Sequence, residues 1–97
     1  MRFEILLAPR AVEDLRRLRA SARSQVRDAL ESHVRHQPEK QSRSRIKRLK
    51  GITRPQYRLR VGEVRVFYDG RDASVEVLAI LDKKEVSEWQ ERSGRRE

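Results

Sequence analysis

The chain reads as a single α+β domain in which two N-terminal helices pack on an antiparallel sheet and a short C-terminal helix closes the fold. Three observations predict this class. Apolar residues recur at helical spacing between Pro9 and Val34, and they alternate with period two from Tyr57 to Leu81. No internal repeat or linker divides the 97 residues, a length that supports one modest core and not two, so 1–97 is one domain.

Phe3, Ile5 and Leu7 alternate with Glu4 and Leu6 ahead of Pro9, which predicts a first strand. Proline is favourable in a first helical turn. Behind it Ala8, Val12, Leu15 and Leu18 recur at helical spacing, with Glu13 and Asp14 expected near the positive end of the macrodipole. Ser21 opens a second helix whose apolar side is Val26, Ala29, Leu30 and Val34, with His33 beside them and Pro38 marking its end. No carboxylate or metal ligand stands at a telling spacing from His33, which reads as a helix-flank residue. Residues 39–54 have little periodicity and only Ile46, Leu49 and Ile52 as aliphatic anchors. They read as a long basic loop, partly anchored by Ile46 and Leu49.

After Pro55 the pattern becomes that of a hairpin. Tyr57, Leu59 and Val61 point one way, Arg58 and Arg60 the other, and Gly62-Glu63 is a two-residue turn with glycine first. The register follows by arithmetic: Val61 faces Val64, Arg60 faces Arg65, Leu59 faces Val66, Arg58 faces Phe67 and Tyr57 faces Tyr68. One side is then apolar, and the other presents Arg58, Arg60, Arg65 and the Phe67 ring. A second turn at 69–72 leads to a third strand, Ala73 to Leu81; pairing Tyr68 with Ala73 places Glu76 opposite Arg65. Asp82 and Glu85 have the spacing of an N-cap and its N3 partner, and Val86 and Trp89 lie one turn apart, which predicts the terminal helix. Residues 93–97 are expected to fray.

Charge narrows the function. The net charge is +9, and eleven Lys/Arg against two acids between Arg35 and Arg65 account for all of it. A localised patch of this kind is the electrostatic footprint of a polyanion binder, RNA above all. The absence of cysteine excludes disulfides, cysteine-type zinc sites and thiol nucleophiles, and fits a reducing cytoplasm. The apolar run Ile5–Ala8 is far too short for a signal-peptide core or a membrane span.

Directly opposed arginines repel across a sheet by a few tenths to about 1 kcal/mol, so stability alone would not select Arg60 opposite Arg65. A phosphate between Arg58, Arg60 and Arg65 would relieve the repulsion and receive forked hydrogen bonds. Phe67 offers a surface for base stacking, and Lys47, Arg48 and Lys50 of the basic loop are expected to grip the substrate backbone.

The element order, with Tyr57-Arg58-Leu59-Arg60-Val61-Gly62 followed by Val64-Arg65-Val66-Phe67-Tyr68, resembles the RelE/ParE family of type II toxin-antitoxin toxins over nearly the whole chain. The specific part is the hairpin with arginine just before the Val-Phe-Tyr run; His36-Gln37-Pro38 is also similar to many members. The resemblance implies the RelE-like β-α-α-β-β-β-(α) fold and a cytoplasmic toxin neutralised by a cognate antitoxin in a hetero-oligomer. It further implies cleavage of mRNA on the ribosome by 2′-hydroxyl attack on the adjacent phosphate, with no metal or other cofactor. By position, Arg65 matches the strand arginine that stabilises the scissile phosphate, and Arg58 and Arg60 match a pair that is lysine in the best-known RelE-like toxins. Arginine keeps its proton and is a poor base, so the base is unassigned. Lys83 or Lys84 falls where a basic residue follows the last strand, Trp89 lies near the place of a terminal tyrosine, and Glu76 is a carboxylate alternative. Two other functions compete: a ParE-like DNA gyrase inhibitor, and a noncatalytic RNA-binding module or degenerate toxin.

Overall fold

In the computed structural model residues 2–93 and 95–96 are described. Strand β1 (Glu4–Leu7) leads into helices α1 (Pro9–Arg17) and α2 (Ala20–Ala29), the latter continued by a π-helical turn at Leu30–Val34. Strands β2 (Ile46–Arg48), β3 (Ile52–Arg54), β4 (Tyr57–Val61), β5 (Val64–Gly70) and β6 (Ser74–Asp82) follow. A 3-10 turn at Lys83–Glu85 then starts α3 (Val86–Ser93), and β7 (Arg95–Arg96) ends the order. The main sheet runs β1-β6-β5-β4-β2, antiparallel except at its β1 edge, where β1 lies parallel to β6.

Both helices cover one sheet face. Val26, Ala29, Leu30 and Val34 are buried against Tyr57, Leu59, Val66, Tyr68, Val75, Val77 and Ile80, as the apolar spacing of α2 requires. Helix α1 buries the expected side only in part: Leu15 and Leu18 pack against the core, but the deepest positions are others. Its first turn holds no acid, Val12 is exposed, and the buried residues are Ala11 and Asp14. Asp14 faces inward because β6 offers it a partner: Oδ2 accepts the Ile80 N–H at 2.9 Å, while Arg10 Nε lies 3.4 Å from Oδ1. Ile80 is just past a register shift, where Phe67 pairs with Ala79 and Tyr68 with Val77, leaving Leu78 without a partner. Asp14→Ala would strand that N–H in a dry interior, a loss of about 1–3 kcal/mol. A lowered urea midpoint should show it, with Asp14→Asn, which keeps an acceptor, less affected.

The basic loop expected over 39–54 is partly sheet. Ile46 pairs with Leu59, Lys47 with Arg58 and Arg48 with Tyr57, so β2 is the outer strand. The three-residue step from Ile46 to Leu49 changes parity along an extended chain. It therefore puts Ile46 into the helix-side core and Leu49 into a second cluster on the opposite face. Of the tail expected to fray, 94 and 97 lie outside the described residues, whereas Arg95 and Arg96 pair with β3.

The hairpin register is the one the turn dictates, from Tyr57 opposite Tyr68 to Val61 opposite Val64, and Gly62 takes φ 58°, the left-handed region glycine favours. The next connection differs from expectation. Strand β5 continues through Asp69 and Gly70, and Glu76 lies opposite Asp69 while Leu81 lies opposite Arg65. The turn residues are consumed by hydrogen bonds to β4's leader: Gln56 N–H donates to Asp69 Oδ1 at 2.7 Å, and Gly70 N–H donates to Gln56 Oε1 at 2.9 Å. Arg54 then joins Asp69 (3.1 Å) and Glu76 (3.0 Å). Burial pushes the Asp69 carboxyl up despite the Gln56 hydrogen bond and Arg54.

A basic end of the sheet as candidate active site

On the face away from α1 and α2, pairing sets the side chains in rows. Lys47, Arg58, Phe67 and Ala79 form one row, and Arg60, Arg65 and Leu81 the next, toward the Gly62 turn. The three hairpin arginines are thus brought together, with Lys47 beside them. Arg60 is exposed and Arg58 half-buried, but Arg65 is only 7% exposed. Its Nη1 donates to Gly62 O at 2.7 Å and to Val64 O at 3.1 Å, so the guanidinium is held against the turn. Burial, then Arg60 and Arg58, depress its pKa, with Glu63 and Asp82 opposing. A guanidinium still keeps its proton at any physiological pH.

Lys83 and Lys84 arrive at the same end. Asp82 pairs with Val64 in the sheet and caps the 3-10 turn by accepting from Lys84 N–H, while Glu85 accepts from Asp82 N–H. Lys83 N–H also donates to Glu63 O at 2.8 Å, tying this segment to the hairpin turn. Glu63, Asp82, Lys83 and Lys84 line a cleft of about 460 Å³. The sequence pattern presents Glu63 and Asp82 only as turn and cap residues. The usable signal was the two-residue turn itself, which fixes Glu63 two places before Arg65.

Other expected site residues fall elsewhere. Phe67 is 0% exposed and Trp89 8%; their rings pack at 4.7 Å between centroids, sealed with Leu49, Ala79 and Leu81. Neither offers a stacking face, because α3 folds onto the apolar half of this sheet face. Arg48 lies on the helix side of the sheet over the Tyr57 ring, 5.3 Å from its centroid, the opposite face from Lys47. Lys50 is exposed beyond β2, at the end of the sheet away from Gly62. Glu76, opposite Asp69 and bonded to Arg54, cannot meet Arg65. Tyr68 donates to Pro38 O at 2.6 Å and burial drives its pKa far up, as burial also raises Tyr57; both phenols sit in the helix-side core, on the other face from the arginine rows. Among the described residues no three His, Cys, Asp or Glu gather as a metal site, and no helix is long and apolar enough to cross a membrane.

Helix pair, mixed sheet and basic hairpin make up the arrangement that the RelE/ParE resemblance implies. Residues 5–86 match the family model for the ParE toxin of the type II toxin-antitoxin system parDE, and the chain belongs to that family. It is the toxin component of such a system. Its fold is similar to that of an arginine-to-alanine double mutant of E. coli RelE in the free state, at 25% identity over 91% of this chain and 90% of that one, TM-score 0.69. It is also similar to RelE in the RelB-RelE antitoxin-toxin complex from Methanococcus jannaschii, at 20% identity over 87% and 96%, TM-score 0.67. The YoeB dimer from Staphylococcus aureus follows at 20% identity over 81% and 94%, TM-score 0.62. No curated protein matches the chain.

Proposed function

We propose that this toxin is an endoribonuclease that cuts mRNA on the ribosome by attack of a ribose 2′-hydroxyl on the adjacent phosphate. The observation that carries the reading is the gathering of Arg58, Arg60, Arg65, Lys83 and Lys84 around one end of the sheet. Arg65 would stabilise the pentavalent phosphorane, with Arg58 and Arg60 clamping the flanking phosphates and an ammonium protonating the leaving oxygen. Lys47 extends the clamp along the strand. Arg48, Lys50, Phe67 and Trp89 are not part of it. A cognate antitoxin with acidic and apolar segments would cover this face and hold the toxin inactive in the cytoplasm.

The ParE family match keeps gyrase inhibition as the second reading, in which the basic end docks on protein. Expression in a bacterium with and without the antitoxin gene, followed by mapping of transcript ends, separates the two. Ribosome-dependent cuts are expected. Intact transcripts accompanied by DNA damage would decide for gyrase.

A further inference from the structure

We propose that Glu63 is the general base of the reaction, taking the proton from the attacking 2′-hydroxyl. The assignment rests on the ribonuclease reading above and supplies the group that reading lacks. A base must be a group able to accept a proton, must not be committed to another bond, and must stand beside the cation that binds the scissile phosphate. The three hairpin arginines fail the first requirement.

Of the other carboxylates near the sheet, Glu4 fails the third, since it lies on the β1 edge strand beyond β6, and the rest fail the second. Glu76 is bound by Arg54 and Arg71, Asp69 by Arg54 and Gln56, and Asp14 by Ile80 N–H; Asp82 is spent on the cap, and Glu39 accepts from Tyr57. His33 lies in a different cleft, which it lines with Gln25, Asp28, Arg45 and Gly62, on the helix side of the turn and so across the sheet from the arginine rows.

Glu63 is exposed at the turn, and no side-chain hydrogen bond or ion pair engages its carboxylate among the described residues. The carbonyls on either side of it, Gly62 O and Val64 O, are the two that hold the Arg65 guanidinium, so carboxylate and guanidinium flank one turn. Lys83 and Lys84 share its cleft.

In the step, the O2′–H proton passes to a Glu63 carboxylate oxygen as the O2′–P bond forms. The P–O5′ bond breaks and O5′ takes a proton from the Lys83 or Lys84 ammonium. The products are a 2′,3′-cyclic phosphate and a 5′-hydroxyl, and solvent returns both side chains to their starting states.

The test is single-turnover cleavage of ribosome-bound mRNA by wild type, Glu63→Gln and a Lys83→Ala/Lys84→Ala double variant, using the natural substrate and one with sulfur in place of the bridging 5′-oxygen. Thiolate leaves without protonation, so it bypasses a missing acid and not a missing base. Glu63→Gln should cut at least about 100-fold more slowly on both substrates, with ribosome affinity and thermal midpoint unchanged, and Glu63→Asp should recover part of the rate. The double variant should be slow only on the natural substrate. Cleavage by Glu63→Gln within about threefold of wild type, or its rescue by sulfur, overturns the assignment alone. A wild type that cuts neither substrate overturns the ribonuclease reading and the assignment with it.

Discussion

Replacing Arg65 with alanine is expected to slow cleavage of ribosome-bound mRNA by about 100- to 1,000-fold, the usual effect of losing one donor aimed at charge that develops in the transition state. The fold should survive, because the side chain's bonds are to two turn carbonyls, Gly62 O and Val64 O, which water can satisfy at this end of the sheet. The stability loss should be about 1 kcal/mol. Arg65→Lys keeps a cation without the planar fork and should recover only part of the rate. Rate and urea midpoint must be measured on the same preparations. Full cleavage by Arg65→Ala would remove the proposed site. If neither wild type nor variant cleaves and both arrest DNA gyrase, the basic end is a protein-docking surface.

The largest stability effect is expected at Phe67. The ring is sealed from solvent under Trp89 and against Leu49, Ala79 and Leu81. Phe67→Ala should cost about 3–5 kcal/mol. For a domain of this size each kcal/mol lowers Tm by roughly 4–8 °C, so a fall of more than about 10 °C is predicted. Trp89 is the single tryptophan, and its emission reports whether α3 stays docked. Phe67→Leu should keep most of the stability and most of the cleavage. A Phe67→Ala variant as stable as wild type but inactive would restore the ring to a stacking role and refute the packing assignment.

The hairpin was legible because two constraints coincide: a glycine-first turn of fixed length and a strict alternation on both arms. Together they determine which residues oppose, and Arg60 stands opposite Arg65 as required. The following connection misled because Asp69-Gly70 carries the composition of a turn, and nothing in the local pattern shows that Gln56, thirteen positions earlier, will bind Asp69. Strand β2 was masked by its charge, since Lys47 and Arg48 read as solvated loop until Arg58 and Tyr57 become their neighbours. Phe67 was assigned to substrate because it sits on the predicted arginine face, and Trp89 because it lies near the place of the family's terminal tyrosine. That one helix would cover half of that face is a tertiary fact, set by Val86 and Trp89 meeting Phe67. For Glu63 the turn fixes its place two residues before Arg65, but not that the Arg65 guanidinium folds back onto the carbonyls on either side of it.

The first strand of this protein is seated on the last long one. β1 pairs with β6, and Asp14 of α1 reaches Ile80, sixty-six positions further on. A chain emerging from the ribosome therefore holds its first helix and edge strand without their seats until β6 has been made. The most separated contacts close last and most slowly. The row of Arg60 and Arg65 is completed by Leu81 of β6, so the basic end takes its shape only when that same late strand is seated.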